Sequence, residues 1–262
     1  MVAQVIRARE RVRVPSITTE QMREVDRLMV EEYGIVLLQM MENAGRNLAR
    51  LAATLVAGAR DRSVLVLAGK GNNGGGGMVA ARHLSNMGVR VRVILPVAVR
   101  ELTEVPAHQA SILRRMGVDL LEVEDIPQTR LDRHFGEADL IVDALIGYSL
   151  AGTPRGRFAV LIEGANAGGK PIVSLDVPSG ADADSGTVYE PSIKAVATLT
   201  LALPKTGLGV PEVRERLGDV YLADLSVPPS LYRRLELEVG PLFADAGAIR
   251  LQWEDGGWVV ER

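Results

Sequence analysis

An apolar strand that runs straight into glycines and then into a helix allows few folds, and residues 63–83 have that order: SVLVLAGKGNNGGGGMVAARH. The run SVLVLAG is rich in valine and leucine and apolar throughout, the pattern of a strand buried on both faces of a parallel sheet. Gly74, Gly75, Gly76 and Gly77 follow in succession. Glycine in regular structure is less stable than alanine by roughly 0.5–1 kcal/mol. A run of four therefore marks a place where bare backbone is needed. The expectation is a strand, a loop lined by backbone, and a helix from about Gly77 to Met87, stopped by Gly88. Free N–H groups at a helix N-terminus attract phosphate or another anion, and Asn72 and Asn73 add side-chain amides.

The same alternation of short β-branched runs and helical patterns continues along the chain, which predicts an α/β fold. Strands are expected at 89–96, near 119–123, at 138–147, 170–180, 197–204 and 218–225. Thr18 with Gln21 three residues later predicts a capping-box helix to about Glu32. Further helices are expected from about Leu37 to Gly58, Thr103 to Met116, Arg157 to Ala167, and at 228–237. One main domain at 17–237 emerges, with an N-terminal extension at 1–16 and a separate tail at 238–262 that carries a candidate Asp255-Gly256-Gly257 turn. In the extension, Arg7, Arg9, Arg11 and Arg13 alternate as on one face of a strand, read as a solvated edge strand or loose tail, or as a contact to an anionic partner. No repeat or low-complexity linker interrupts the pattern.

Composition narrows the function. The 262 residues are 47% hydrophobic, enough for a sizeable core, and the net charge of −3 argues against nucleic acid as the main partner. The absence of cysteine excludes disulfides, iron–sulfur clusters and thiolate zinc sites, and fits a cytoplasmic protein. No apolar stretch reaches the roughly 18 residues of a membrane span, and the start does not read as a signal peptide.

Three expected strands end in unusual sequence: AGKGNNGGGG, VDALIGYSLAGTPRG and LDVPSG. In an open parallel sheet the carboxyl ends lie on one rim, where ligands bind at a switch in strand order. Gly69, Gly71 and Gly74 fit G-x-G-x-x-G, but no acidic residue ends the next strand, so an ordinary dehydrogenase is disfavoured. Lys70 is followed by Gly71, which excludes a P-loop. Asp143 and Asp176 each close a buried run, as loop-capping carboxylates or as a pair for proton transfer. Alternatively, a hard cation sits between them and Asn73. Ser179 lacks the setting of a nucleophile, and His83, His108 and His134 are scattered on expected helices. Lys205 is read either as an anion contact or as a surface lysine. Met40 and Met41 fit a buried helix face.

In order along the chain, MREVDRLMVEEYG, MMENAG, GNNGG, VAARHL, VDALIG, LDVPSGADADSG and LPKTGL resemble the YjeF N-terminal domain family, which includes the NAD(P)H-hydrate epimerases. The resemblance covers roughly residues 17–235. It implies a three-layer α/β/α Rossmann-like sandwich with a mainly parallel central sheet, often a homodimer. It implies epimerisation of the R and S forms of NADHX and NADPHX, the hydrated nicotinamide cofactors, with a separate dehydratase as functional partner. Carried over by position, a potassium site falls on Asn73, Asp143 and Ser179. The substrate segments fall on Asn72, Asn73, Gly74, Gly75 and Gly76, and on Gly147, Tyr148, Ser149, Leu150, Ala151, Gly152 and Thr153. Asp176 aligns with the substrate-contacting carboxylate and is the expected acid–base group.

Three positions depart from the family pattern. Gly76 stands where an aspartate is usual, and Tyr148 and Ser149 stand where Thr-Gly is usual. All three are expected to touch the pocket. They leave open a non-catalytic nucleotide-binding or scaffolding module, or an enzyme acting on another nucleotide-like ligand.

Overall fold

A computed structural model describes residues 11–56 and 61–261. In chain order the strands are β1 (Arg11–Val14), β2 (Ser63–Ala68), β3 (Arg90–Leu95), β4 (Asp119–Glu122), β5 (Leu140–Ala144), β6 (Ile172–Leu175), β7 (Ala197–Leu201), β8 (Asp219–Ala223), β9 (Ala248–Glu254) and β10 (Gly257–Glu261). The helices are α1 (Thr19–Glu31), α2 (Leu37–Leu55), α3 (Asn72–Asn86), α4 (Glu104–Arg115), α5 (Gln128–Glu137), α6 (Arg157–Ala167), α7 (Pro211–Leu217) and α8 (Pro229–Arg234).

Among the described residues one ten-stranded sheet runs β1-β10-β9-β8-β7-β6-β5-β2-β3-β4. Every pair from β8 to β4 is parallel, and the pairs from β8 to β1 are antiparallel. The chain builds outward from β2 to β4, then returns to place β5 on the other flank of β2. The switch point therefore lies between β2 and β5, and two of the three unusual strand ends meet there, with the third on the adjacent β6. Alternate β2 residues feed opposite cores. Val64, Val66 and Ala68 join the core under α1 to α4, while Leu65 and Leu67 join Phe135, Leu161 and Ile162 under α5 and α6. These are the three expected layers.

Helix α1 begins at the expected capping box: Gln21 N donates to Thr18 Oγ1 at 3.1 Å and Thr18 N donates to Gln21 Oε1 at 2.9 Å. The glycine run differs from expectation. Helix α3 starts at Asn72, so residues 74–77 occupy its first turns and are buried rather than forming a loop. The reason is distance. A Cβ on Gly74 would lie 1.9 Å from Gly69 O, one on Gly76 2.8 Å from Leu175 Cδ2, and one on Gly77 2.5 Å from Ala144 Cβ. On α2, a Cβ on Gly45 would stand 2.6 Å from Gly76 O. The run is thus a packing surface on which α3 approaches both the sheet and α2.

The ends of the chain also differ from expectation. Residues read as a separate tail carry β9 and β10, which extend the sheet from β8 and pair with β1. Trp258 is buried, and Trp253 packs edge-on to it at 5.0 Å and beneath Arg214. Asp255 and Gly256 have φ of 46° and 75°, which suits a tight hairpin turn at the expected place. Arg11 and Arg13 lie exposed on β1, and Arg7 and Arg9 fall outside the described residues.

The packing role of the glycines is testable. Gly74→Ala should lose at least about 1–3 kcal/mol by overpacking, read as a lower thermal midpoint. Gly71→Ala, where nothing lies within 4 Å of the added carbon, should melt as the wild type does.

Candidate functional site

The four side chains singled out from the three strand ends converge on residues 145–147, the turn that leaves β5. Asp143 is fully buried and each of its oxygens accepts two bonds. Oδ1 accepts from Leu145 N at 3.2 Å and Ser179 Oγ at 2.6 Å; Oδ2 accepts from Ser174 Oγ at 2.8 Å and Ser179 N at 2.9 Å. Ser179 Oγ in turn accepts from Ile146 N at 2.9 Å. A Cβ on Gly147 would lie 3.2 Å from both Asn73 Cγ and Asp176 Oδ2. The backbone of Gly147 passes so closely between Asn73 and Asp176 that an added Cβ would press on both.

Asp176 follows β6 with φ of 70°, a left-handed conformation uncommon outside glycine, asparagine and aspartate. Its N–H donates to Leu199 O at 2.8 Å, which ties the turn to β7. Tyr148 N donates to its Oδ2 at 3.0 Å, and Lys205 Nζ donates to its Oδ1. Lys205 is wholly buried and also donates to Leu201 O at 2.8 Å. It is therefore neither a surface lysine nor free for an anion: it is the counter-charge of Asp176.

A cavity of about 670 Å³ opens at the switch point, within the ~300–1,000 Å³ usual for small-molecule sites. Asn72, Asn73 and Asp176 line it, as do Gly147, Tyr148, Ser149, Leu150, Ala151, Gly152 and Thr153. Three expected substrate residues do not. Gly74, Gly75 and Gly76 face packed neighbours inside the protein, among them Gly69, Val105 and Leu175. Position 76 is a helix-packing position, where an added Cβ would also stand 3.7 Å from Met41 Sδ and 3.9 Å from Ala44 Cβ. Asp143 and Ser179 lie behind the wall instead of in the lining.

Tyr148 does not fill the hollow. Its hydroxyl donates to Asp26 Oδ2 at 2.7 Å, which draws the ring against the wall beside Lys205. Ser149 is exposed at the rim with an ordinary backbone. Asp26 was missed as a site residue, although a signal was present: it sits among Met22, Val25 and Met29, the buried stripe of α1. A carboxylate on an apolar face needs a partner. Burial pushes the Asp26 carboxyl above its usual range, against the pull of the Tyr148 hydrogen bond. Burial likewise pushes Asp143 up, against its four hydrogen bonds. His83, His108 and His134 lie on α3, α4 and α5, outside the lining.

Comparison with known proteins finds relatives of this chain by sequence and by fold. The family described as YjeF-related protein N-terminus matches residues 37–207. A protein of Dehalogenimonas lykanthroporepellens named NAD(P)H-hydrate epimerase is 50% identical over 228 residues, covering 86% of this chain and 87% of that protein. A Salinibacter ruber protein named bifunctional NAD(P)H-hydrate repair enzyme Nnr is 37% identical over 249 residues, covering 91% of this chain and 46% of that protein. The crystal structure of the yeast protein YNL200c superimposes with a TM-score of 0.79 at 28% identity, covering 91% of this chain and all of that one. By sequence and by fold, the chain belongs to the YjeF-related N-terminal domain family.

Proposed function

We propose that the protein is an isomerase that interconverts the R and S forms of hydrated NADH and NADPH in nicotinamide nucleotide repair. The observation that carries this reading is the convergence of Asn73, Asp143, Asp176 and Ser179 on residues 145–147, beside an open cavity of about 670 Å³. Relatives that match most of the chain bear the name of this activity.

The chemistry asks little of the protein. C6 of the hydrate carries a hydroxyl beside a ring nitrogen. When that hydroxyl takes a proton and leaves as water, the nitrogen lone pair forms a conjugated iminium. Water then adds to the other face and gives up a proton. Both oxygens of Asp176 accept from N–H donors, so it suits the group that receives that proton. Lys205 holds the carboxylate in place and supplies its counter-charge. The apolar wall of Met22, Leu37, Met41 and Phe158 limits water around the reacting ring.

The side-chain acceptors behind the wall are all oxygen, the kind a hard cation takes. Asp143 is buried, yet its hydrogen-bond partners are all neutral, and it makes no ion pair among the described residues. Buried charge is ordinarily paired or bound to metal. Asn73 Nδ2 donates to Leu175 O at 3.3 Å, which leaves its oxygen as an acceptor. Asn73, Asp143 and Ser179 are the residues that would hold potassium. The ion would supply a fixed positive charge beside Asp143. The product would pass to a dehydratase. The family resemblance also implies a homodimer.

Three measurements test this reading. An NADHX mixture is treated with excess dehydratase, which removes the S form; adding this protein should speed loss of the R form. Asp176→Asn should lower that rate by about 10²–10⁴-fold, and no acceleration by the wild type would overturn the proposal. Lys205→Met leaves Asp176 buried and unpaired, and should cost about 3–5 kcal/mol in urea unfolding; Arg27→Ala, which breaks only exposed pairs, should leave the midpoint nearly unchanged. Potassium chloride should raise the melting temperature above that in lithium chloride of equal ionic strength, and Asn73→Ala should abolish the difference.

A further inference from the structure

Among the described residues, two carboxylates line the cavity, Asp176 and Asp26. One residue bridges them. Tyr148 donates its N–H to Asp176 Oδ2 at 3.0 Å and its hydroxyl to Asp26 Oδ2 at 2.7 Å. The two acids are thus set apart by the length of a tyrosine side chain, on walls built by different elements. Their surroundings differ in kind. Asp176 has a buried ammonium on one oxygen and a backbone N–H on the other. Among the described residues Asp26 has one hydrogen-bond partner, a phenol that burial and the neighbouring carboxylates keep protonated. Lys205 spends its contacts on Asp176 and Leu201 O.

An epimerisation by loss and return of water has two proton transfers, one to the departing hydroxyl and one from the incoming water. Two carboxylates whose environments differ in this way divide such work between them. We infer that Asp26 is the second acid–base group of the cavity and gives its proton to the departing C6 hydroxyl; this rests on the epimerase reading. The C6–O bond breaks with its electron pair going to oxygen, and the ring nitrogen supplies the pair for the C=N bond. Water oxygen then bonds C6 from the opposite face, the C=N pair returns to nitrogen, and the water proton passes to Asp176. Nothing is oxidised or reduced. The reverse conversion uses the same two groups with their roles exchanged.

The groups that face Asp26 support this division. Tyr148 and Lys205 on the cavity wall favour its charged form, while burial and Asp176 oppose it, and burial is the largest of these effects. Tyr232 of α8 feels the Asp26 charge, and Arg23 of α1 acts on Tyr148. The net direction leaves Asp26 protonated to higher pH than an exposed aspartate, which suits a donor.

The test is the coupled assay with dehydratase in excess across a pH series, on wild type, Asp26→Asn and Tyr148→Phe. Asp26→Asn keeps an acceptor for the Tyr148 hydroxyl but has no proton to give. Its kcat should fall by about 10²–10⁴-fold with KM little changed. Tyr148→Phe removes the hydrogen bond that favours the charged form. The alkaline limb of kcat/KM, where Asp26 loses its proton, should therefore move to higher pH. A residue that only braced Tyr148 would produce no such shift. An active wild type with Asp26→Asn within a few-fold of it and the same alkaline limb would overturn the inference and leave the epimerase reading intact. An inactive wild type would overturn both. If Asp26→Asn does not fold, the Tyr148→Phe limb decides: an upward shift supports the role and an unmoved limb refutes it.

Discussion

Asp143 is the residue on which the geometry of the site depends. It is a carboxylate with no exposed surface, placed at the end of β5, and it ties that strand end to the turn after β6. Removing such a group from water costs several kcal/mol. Four hydrogen bonds, at roughly 1.5–3 kcal/mol each for a charged group, offset part of that cost, and burial still pushes the carboxyl up. They also fix the backbone at Leu145 and Ser179, and through Ser179 the backbone at Ile146. Gly147 then follows a close path between Asn73 and Asp176. The cavity wall is a consequence of that path.

The glycine run serves the same end from the other side. Asn73 can flank Gly147 only if α3 begins close against the sheet. Gly74 lets the helix settle on Gly69 O, and Gly77 lets it lie on Ala144, the residue after Asp143. Gly45 and Gly76 bring α2 up behind it. Four glycines weaken a helix start, yet here tertiary packing outweighs propensity. The bare backbone that the sequence demands is met by neighbouring helix and sheet atoms, with the ligand cavity reached only by the residues just before the run.

What could be read from the chain and what could not follow from the range of each interaction. The capping box at Thr18 and the Asp255-Gly256 hairpin turn are local, and both stand where the residues placed them. The rim was legible because parallel strands put their carboxyl ends on one side, so three motifs far apart in sequence had to be neighbours. The start of α3 was misplaced because the cause of its glycines lies across space in Gly69, Leu175 and Ala144. Lys205 was indistinguishable from a surface lysine because its partner, Asp176, is 29 positions away. The tail hid two strands because their register is set by β8 and β1, elements remote in sequence. The alternating arginines gave only the exposed face of that edge.

Charge in the cavity is arranged so that its acids are not equivalent. Asp176 is held in a left-handed conformation by a bond to Leu199 O, and strain of this kind persists only where the surroundings enforce it. Lys205, whose stem and ammonium are both buried, holds the side chain of the same residue. A buried ion pair adds little net stability, so its presence is better understood through the geometry it imposes. Lys205 fixes one carboxylate oxygen, and Tyr148 N fixes the other. The same tyrosine then reaches with its hydroxyl to Asp26, so the departure expected to touch the pocket bridges its two acids. A smaller residue at position 148 would keep the backbone bond to Asp176 and lose the one to Asp26. The position is therefore a point where this chain couples helix α1 to the sheet rim.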